Sequence, residues 1–526
     1  MFEIFESQQN QLSVFTPLDA LFSEYHSKLS EINKIASFVT GKTDIIGFFL
    51  DGAQKKERHS SLSAKNLFDP VPAIAALDAL FWSRAMNLTD VLEAMDATRR
   101  NEWHNQIHDH KTPPFEPADV ITTIRQLLAQ RDYFFAQRVE GIFTNLSQSH
   151  VTNEPQGFGR RMIIAWMLTS YGSLNSARVA FIHDLRCVIA KFSGRGAVPS
   201  GITYNDIELL IKNEKFGEWH YFDGGAFRAK FFKKGTAHLE ISSDVSYRLN
   251  QVLAFLYPAA IPAEFRRKPV KAVKKKEYVM EHDLVSFSTI ASIGTGRISS
   301  CGFKIFFNEP PLPSAIKVME YLGGLKNGNH EWLFDYKINL ALNALRRTGS
   351  LPEQVTHQFY ATPENVARMA IEMAEIGDDH TIIEPSAGQG GIAVFLPVER
   401  TVCVEISQLH CAVLKARGLN VIQADFLEWN KVNFSRLGFS EKFCPKTRFD
   451  RCVMNPPFSG GRAVSHVTRA SAMLNDNGIL VAVMPASFKG KEVVPEFVHE
   501  WSDVLQNEFD DTTVSVILLK LFKVAI

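Results

Sequence analysis

Two carboxylates and a glycine-rich loop are spaced along residues 381–405 in a way that suits nucleoside binding. A short apolar strand, residues 381–383, runs into Glu384 and then into a loop that contains Gly388 and Gly390. Glycine lets a ligand approach the backbone closely because it adds no side chain and tolerates positive φ. The next apolar strand ends in Glu405, where a nucleotide-binding sheet places a carboxylate for the ribose hydroxyls. Between these strands we expect a helix that begins near Ile392.

A third apolar strand, residues 420–423, ends in another potential ligand-binding pair. It leads into Asp425 and Phe426, which offer an acceptor and a ring to an adenine. The carboxyl ends of parallel strands meet at one edge of a sheet, where ligands bind. We therefore expect Glu384, Glu405 and Asp425 to lie around one site.

The fourth strand, residues 449–454, leads into Asn455-Pro456-Pro457-Phe458. Two consecutive prolines hold the backbone extended and remove two N–H donors, so the turn presents carbonyl acceptors and a fixed Asn side chain. The Asn455 side-chain oxygen and the Pro456 carbonyl can accept the two hydrogens of a planar amino group while Phe458 stacks on the ring. This arrangement frees the nitrogen lone pair to attack an electrophilic methyl group.

Residues 359–488 resemble the class I S-adenosylmethionine-dependent adenine-N6 DNA methyltransferases in which the cofactor motifs precede the catalytic motif. The matching segments occur in that order: FYATPENVARMA, EPSAGQGG, VEIS, QADF and NPPF. The resemblance implies S-adenosylmethionine as cofactor and DNA as partner. It also implies direct methyl transfer to the N6 amino group of an adenine flipped out of the double strand.

The resemblance assigns a role to each of these segments. The first closes over the methionine end of the cofactor, the second lies beneath it, the third binds ribose and the fourth binds the cofactor adenine. The cofactor-binding residues implied in this way are Phe359, Thr362, Pro363, Glu384, Gly388, Gly390, Glu405, Ile406, Asp425 and Phe426. The target base is assigned to the catalytic residues Asn455, Pro456, Pro457 and Phe458.

The alternation of helices and apolar strands after residue 359 predicts an α/β fold, a Rossmann-like methyltransferase domain at 351–526. Before it we predict a mainly helical α+β region. This region consists of residues 1–262 with a β-hairpin near 218–241, a basic linker at 263–278 and a small α+β connecting segment at 279–350. In that segment SFSTIASI and GFKIFF resemble strands and GGLKNGNHEWLFDY resembles a hairpin.

The composition excludes several classes of protein. With 45% hydrophobic and 22% charged residues, the chain has the composition of a globular protein and not of a disordered or collagen-like one. The six cysteines include no CxxC pair, so neither a disulfide framework nor a metal site is predicted. No signal segment and no run of 18 uncharged apolar residues occurs, which predicts a cytoplasmic protein without a membrane span.

The first 350 residues are the better candidates for engaging DNA or a protein partner. Residues 351–526 hold 16 Lys and Arg against 21 Asp and Glu, and the whole chain is neutral, so the first part has the positive balance. A dense cationic stretch either follows a phosphate backbone or forms an exposed linker. Its cations are Arg266, Arg267, Lys268, Lys271, Lys274, Lys275 and Lys276.

Roughly residues 20–260 resemble an uncharacterised domain found ahead of methyltransferase domains in phage, plasmid and other bacterial mobile-element genes. The likeness lies in LFDPVPAIAALDALFWSRAMNLTDVL, KTPPFEP, HVTNEPQGFGRRMI and FFKKGTAHLEI. It brings a genetic context, such as restriction-modification or anti-restriction, without an activity.

Other functions remain open from the sequence. The NPPF turn also suits cytosine N4, a base of structured RNA or a protein glutamine amide, because each presents an amino group beside a carbonyl or ring. A second class of function is a protein that keeps this fold but only holds DNA or a partner. The sequence fixes neither the recognised DNA site nor the oligomeric state.

Overall fold

The computed structural model describes most of the chain, in two compact units. The described residues are 9–57, 64–89, 92, 95, 97–146, 150, 152–213, 215–258, 260–268, 283–352, 359–429, 448–506, 508–509 and 515–523. One unit comprises residues 1–193, 233–238 and 243–269, and the other comprises residues 194–232, 239–242 and 270–526. The predicted connecting segment thus lies in the same unit as the predicted methyltransferase domain.

The described part of residues 9–268 is mainly helical. Its helices are α1 (Gln9–Thr40), α2 (Thr43–Glu57), α3 (Ala64–Leu67), α4 (Pro70–Asn87), α5 (Ala97–His108), α6 (Pro117–Ala129), α7 (Arg131–Thr144), α8 (Ser176–Ser193), α9 (Ile202–Lys212) and α10 (Ser243–Leu256). Its strands are β1 (Arg161–Ile164), β2 (His220–Phe222), β3 (Phe227–Phe231) and β4 (Ala237–Ile241). Strands β2 to β4 lie in the region predicted as hairpins, and β2 pairs antiparallel with β3.

Two buried carboxylates fix the helices of the first unit. Asp78 on α4 accepts hydrogen bonds from the Tyr25 hydroxyl (2.7 Å) and the Phe115 backbone N–H (3.0 Å). Asp184 on α8 accepts from Arg138 of α7 through Nε (2.9 Å) and Nη2 (2.7 Å), and from Arg100 of α5 (3.2 Å). Buried polar groups are stable only when they are hydrogen-bonded, so these contacts specify how the helices pack.

Residues 283–352 form a four-stranded sheet, a two-stranded sheet of β5 and β10, and three helices. The strands are β5 (Asp283–Leu284), β6 (Arg297–Ile298), β7 (Lys304–Phe306), β8 (Leu325–Asn327), β9 (Glu331–Leu333) and β10 (Ser350–Leu351). The helices are α11 (Phe287–Gly294), α12 (Pro313–Tyr321) and α13 (Asn339–Thr348). An antiparallel sheet has the order β6-β7-β9-β8, which confirms the predicted strand in GFKIFF and the predicted hairpin.

The prediction of a strand in SFSTIASI is wrong, because this sequence forms α11. The Ser286 hydroxyl caps the helix by accepting a hydrogen bond from the Thr289 N–H (3.2 Å). In so short an apolar run, the spacing of apolar residues does not separate a buried helix from a strand. The serine cap at the start of the run favours the helix.

A seven-stranded sheet follows. Its strands are β11 (Ile382–Pro385), β12 (Thr401–Glu405), β13 (Val421–Gln423), β14 (Phe449–Met454), β15 (Leu474–Pro485), β16 (Val498–Trp501) and β17 (Val516–Phe522). The helices of this part are α14 (Glu364–Met373), α15 (Gln408–Ala416) and α16 (Arg462–Ser471). The strand order is β13-β12-β11-β14-β15-β17-β16.

The first five strands of the sheet are parallel, and β17 runs antiparallel to both β15 and β16. Strand β17 therefore lies between β15 and β16 in the sheet. From β11 the chain adds strands on one side and then returns to place β14 on the other side. Ligands of open parallel sheets bind at such a reversal, outside the carboxyl ends of the strands.

The expected α-helix near Ile392 does not form. Short 3₁₀ turns occupy Ala393–Phe395 and Val398–Arg400 instead. Pro397 lies between them, and proline lacks the N–H that would continue an α-helix and disfavours helical backbone in the residue before it. Elsewhere, among the helices that the structure describes, none has the length and apolar character needed to cross a membrane.

Candidate cofactor and acceptor site

A cavity of about 690 Å³ lies at the carboxyl ends of β11 to β14. Most of the residues predicted from the sequence line it together. They are Phe359, Thr362, Glu384, Gly388, Glu405, Ile406, Asp425, Phe426, Asn455, Pro456 and Pro457. The parallel strands thus bring segments that are up to about a hundred residues apart into one site.

The glycine loop after β11 packs closely against the FYATP segment. Gly388 has φ +55°, and a Cβ atom there would lie 2.6 Å from Cε2 of Phe359. A Cβ atom on Gly391 would lie 3.0 Å from the Thr362 carbonyl oxygen. Any side chain at Gly388 would therefore clash with Phe359 and strain the backbone.

Two buried carboxylates lie on the cavity wall. Glu384 is 2% exposed, and Glu405 is 6% exposed. Burial, and then the nearby Glu405, raises the pKa of Glu384 well above its usual range. Within the described residues, Glu384 Oε2 has no hydrogen-bond partner. A buried acceptor without a partner is costly, so the site favours a ligand that brings a donor or a positive charge.

Glu405 is positioned by backbone groups of the two neighbouring loops. Its Oε2 accepts from the Gly388 N–H (2.8 Å), and its Oε1 accepts from the Ser407 N–H (2.8 Å). Burial raises the pKa of Glu405 to about 7, although these N–H groups act in the opposite direction. Each carboxylate oxygen can accept a second hydrogen bond, so Glu405 can still receive ribose hydroxyls.

The loop after β13 forms another part of the wall, together with His466 of α16. Asp425 accepts from the Leu427 N–H (2.9 Å) and is exposed, while Phe426 is buried. The His466 ring lies 5.6 Å from the Phe426 ring, and its Nδ1 lies 3.2 Å from Ser386 Oγ. Burial lowers the pKa of His466 to about 4, so this ring is neutral at neutral pH.

The NPPF turn places Asn455 against the FYATP segment. The Asn455 side-chain nitrogen donates to Thr362 Oγ1 (3.1 Å) and to the Tyr360 carbonyl (3.5 Å). Pro456 is buried and Pro457 is half-buried, and both line the cavity. The prolines and these hydrogen bonds therefore hold the Asn455 amide in one orientation.

Three of the predicted site residues are not among the cavity-lining residues. Phe458 is half-buried and packs against the apolar layers on both faces of the sheet. Pro363 caps α14 and accepts from the Ala367 N–H (2.9 Å). A Cβ atom on Gly390 would lie 2.9 Å from Cδ2 of Leu414, so Gly390 packs toward α15.

Sequence reasoning missed one wall of the cavity. Glu320, Tyr321 and Gly323, from the end of α12 and the turn after it, line the cavity, and so does His410 of α15. The Tyr321 hydroxyl and His410 Nε2 are 2.7 Å apart. Tyr321 belongs to none of the sequence motifs of the site, so the sequence alone does not predict that it lines the cavity.

The predicted basic stretch is only partly described. Arg266, Arg267 and Lys268 are exposed in the turns that follow α10. Lys271, Lys274, Lys275 and Lys276 lie outside the described residues. Elsewhere in the described part, no cluster of three His, Cys, Asp or Glu side chains could hold a metal ion.

Comparison with known proteins finds one domain family that matches part of the chain and several solved structures that are similar to another part. A family described as a domain of unknown function (DUF4942) matches residues 74–259, within the part of the chain for which an uncharacterised domain was predicted. A comparison with curated protein sequences finds no match.

Several solved methyltransferase structures are similar to part of the chain. One, described as an RNA methyltransferase from Pyrococcus horikoshii, is 20% identical, covers 32% of this chain and 88% of its own, and has a TM-score of 0.25. Another is described as a class I S-adenosylmethionine-dependent methyltransferase from Listeria monocytogenes (10% identity, 31% and 61% coverage, TM-score 0.25). A third is a dimethyladenosine transferase from Plasmodium falciparum (14% identity, 31% and 63% coverage, TM-score 0.25).

The predicted cofactor, S-adenosylmethionine, fits the residues of the cavity. The cofactor carries a sulfonium and an ammonium group. The cavity holds two buried carboxylates, and one of their oxygens has no hydrogen-bond partner in the part of the chain that the structure describes. Its ribose brings two hydroxyl donors, which suit Glu405. Glu384 and Glu405 are therefore the residues that would hold its charged and ribose parts.

Proposed function

We propose that this chain transfers a methyl group from S-adenosylmethionine to the N6 amino group of adenine in DNA. The orientation of Asn455 carries the proposal. Because its side-chain nitrogen donates to Thr362 and Tyr360, the oxygen Oδ1 is the atom left to accept a hydrogen bond from a ligand. The side-chain hydrogen bonds that the structure gives for Asn455 are both made by the nitrogen.

An acceptor oxygen and a proline carbonyl on one rigid turn suit a planar amino group. In the proposed reaction, Asn455 Oδ1 and the Pro456 carbonyl accept the two N–H groups of adenine N6. These hydrogen bonds draw the amino group out of conjugation with the ring and direct its lone pair toward the methyl group. The nitrogen would form its bond to the methyl group as the methyl–sulfur bond breaks and the sulfur becomes neutral, and the positively charged nitrogen would then release one proton to water.

The buried carboxylates have supporting roles in this scheme. When bound, S-adenosylmethionine supplies an electrophilic methyl group on a positively charged sulfur. Glu405 holds the ribose, and Glu384 lowers the energy of positive charge in a cavity with little solvent. Asp425 accepts from the amino group of the cofactor adenine, and Phe426 provides an apolar surface for its ring.

Residues 1–262, which contain the matched domain of unknown function at 74–259, are proposed to engage DNA or a protein partner. Three of the basic residues predicted for this purpose, Arg266, Arg267 and Lys268, are exposed and available for phosphate contacts.

Methyl transfer from isotopically labelled S-adenosylmethionine tests the proposal. The acceptors are unmethylated double-stranded DNA, RNA and lysate protein in parallel, and the products are identified by nucleoside and peptide mass spectrometry. We expect label in N6-methyladenine from DNA. Label in cytosine N4, RNA or a glutamine amide would keep the chemistry and overturn the acceptor. Cofactor binding without transfer to any acceptor would favour the non-catalytic binding protein.

The variant Asn455→Ala tests whether the NPPF turn binds the base and not the cofactor. It removes the acceptor for the base and none of the proposed cofactor contacts, so we expect transfer to disappear while cofactor affinity changes by less than about twofold. Loss of cofactor binding in this variant would contradict the assignment of the NPPF turn to the base.

A further inference from the structure

The missed wall of the cavity joins the segment 283–352 to the two loops predicted to bind the cofactor. Tyr321 is the last residue of α12, and its hydroxyl lies 2.7 Å from Nε2 of His410. Its backbone carbonyl accepts a hydrogen bond from the side chain of Gln389 (2.9 Å). His410 follows β12 and Gln389 belongs to the glycine loop after β11. One tyrosine therefore contacts the glycine loop after β11 and the first turn of α15, which follows β12.

Aromatic packing strengthens this junction. The Tyr321 ring is stacked on the His410 ring at 6.1 Å and lies 6.0 Å from the Phe359 ring. The Phe359 and His410 rings are 4.5 Å apart. Phe359 in turn fills the space beside Gly388, where a Cβ atom would lie 2.6 Å away. The three rings thus form a continuous layer between the end of α12 and the glycine loop.

The junction ends at the carboxylate that is predicted to bind ribose. His410 is 2% exposed, and its Nδ1 lies 3.8 Å from Glu405 Oε1. The Tyr321 hydroxyl also donates to the Pro352 carbonyl, which attaches α12 to the end of β10. A shift of Tyr321 would therefore move His410 toward or away from Glu405.

We propose that Tyr321 is a positioning residue for the cofactor and that the end of α12 is an integral wall of the cofactor site. This inference rests on the proposed S-adenosylmethionine site but not on the identity of the methyl acceptor. It makes residues 283–352 part of the methyltransferase site, where the sequence predicts only a connecting segment. Because a ligand held by the two loops also stabilises the wall that supports them, cofactor binding and the order of the α12 end are linked.

Tyr336 offers a matched control for Tyr321. Its hydroxyl donates to the Leu322 carbonyl (2.8 Å), next to Tyr321 in the chain, and its side chain is buried. Tyr336 is not among the residues that line the cavity. The two Tyr→Phe substitutions each remove one hydroxyl from the same segment, but only Tyr321→Phe removes a contact to a cavity residue.

The test measures the affinity of the full-length chain for S-adenosylhomocysteine, the stable product form of the cofactor, by calorimetry. We expect Tyr321→Phe to weaken binding by roughly three- to tenfold, the effect of one hydrogen bond, and Tyr321→Ala to weaken it further. Tyr336→Phe should bind within about twofold of the unsubstituted chain. Amide hydrogen exchange at Leu322, Gly323 and Gly324 should slow when the ligand binds, and this slowing should be lost in Tyr321→Ala.

The outcomes separate this inference from the proposed reaction. Affinity within about twofold of the unsubstituted chain in both Tyr321 variants would overturn the inference. An equal loss of affinity in Tyr336→Phe would also overturn it, because the effect would then belong to folding of the segment. A chain that binds the ligand as expected but methylates no DNA would overturn the proposed acceptor and leave Tyr321 in its role. A chain that binds no S-adenosylhomocysteine would overturn both.

Discussion

The Asn455 side-chain nitrogen donates to Thr362 Oγ1 at 3.1 Å, although the two residues are 93 positions apart in the chain. This contact joins the turn proposed to bind the base to the segment proposed to close over the cofactor. It also determines which end of the Asn455 amide is free to accept a hydrogen bond. In the proposed reaction, Thr362 would therefore act on the base through Asn455.

Replacing Thr362 with Val tests this relationship. The substitution keeps the shape of the side chain but removes the nearer acceptor of the Asn455 nitrogen and leaves only the Tyr360 carbonyl at 3.5 Å, so the amide is held less firmly in one orientation. We expect kcat for methyl transfer, measured at saturating cofactor, to fall by roughly five- to tenfold, in line with the loss of one hydrogen bond. Thr362→Ser keeps the hydroxyl and should retain most of the activity. Equal losses in the two variants would show that the hydroxyl does not position Asn455.

Gly388→Ala should disrupt the contact between the glycine loop and Phe359. The new Cβ atom would lie 2.6 Å from the ring, at a backbone φ of +55°. We expect at least a tenfold loss of affinity for S-adenosylhomocysteine, because Phe359 must move and the loop must rearrange, with a destabilisation of about 1–3 kcal/mol. Calorimetric titration and denaturant unfolding measure the two effects.

Gly418→Ala is the matched control for this substitution. Gly418 also has positive φ (+81°), but nothing lies within 4 Å of the position of its Cβ atom. Alanine at this position should destabilise the chain through the backbone alone and leave cofactor affinity unchanged. If it weakened cofactor binding as much as Gly388→Ala, the contact with Phe359 would not explain the loss.

The strand ends of the site were predictable from the sequence because the sheet is parallel. Glu384, Glu405, Asp425 and Asn455 each lie at the end of an apolar strand or just after it, and a parallel sheet brings such positions to one edge. The glycine loop and the prolines also have local signatures. For these residues, the order of strands along the chain was sufficient to predict their convergence.

The residues that sequence reasoning missed depend on contacts between distant segments. Tyr321 meets Gln389 and His410, which are 68 and 89 positions away, and no local pattern links them. Phe458 was assigned to the base by resemblance, whereas the structure packs it against the apolar layers of the sheet. The choice between these two surroundings depends on tertiary packing, which the NPPF motif does not encode.

Cofactor affinity should depend on pH through Glu405. Its pKa is about 7 in the ligand-free chain, and ribose hydroxyls bind best to the ionised carboxylate. We therefore expect affinity for S-adenosylhomocysteine to rise by about tenfold between pH 6 and pH 8 and to level off above, with release of a proton on binding. Titrations in buffers of different ionisation enthalpy measure this proton.

The same carboxyl should make the ligand-free chain less stable as pH rises. The folded pKa of Glu405 is raised from 4.5 to about 7, so the folded chain binds this proton more tightly than the unfolded chain does. Its contribution is fully present below pH 4.5 and is lost as pH rises through 7. Glu405→Gln should remove this part of the pH dependence of both binding and stability. An unchanged binding profile in Glu405→Gln would assign the titration to another group.

Asp184→Asn should strongly destabilise the first unit. The substitution weakens the buried ion pairs with Arg138 and Arg100 and leaves positive charge that this carboxylate no longer compensates. Removing one partner from a buried ion pair costs about 3–5 kcal/mol, which urea unfolding can detect. Glu24→Gln breaks an exposed pair with Arg84 and should change stability little. Similar results for both variants would show that the Asp184 cluster adds little stability.

The exposed cations after α10 should contribute to the affinity for DNA. Each phosphate neutralised by a protein cation releases counterions, which makes the logarithm of the association constant fall linearly with the logarithm of the salt concentration. Replacing Arg266, Arg267 and Lys268 with Gln should weaken binding at low salt and reduce the slope of this dependence by up to about 2.7, at roughly 0.9 for each phosphate contact. Fluorescence anisotropy of a labelled duplex over a series of salt concentrations measures both quantities.

The control variant replaces three other exposed lysines with Gln. They are Lys34 of α1, Lys42 in the turn between α1 and α2, and Lys65 of α3, and their replacement should leave the slope unchanged. Equal slopes in the unsubstituted chain and the Arg266, Arg267 and Lys268 variant would show that these cations make no phosphate contacts.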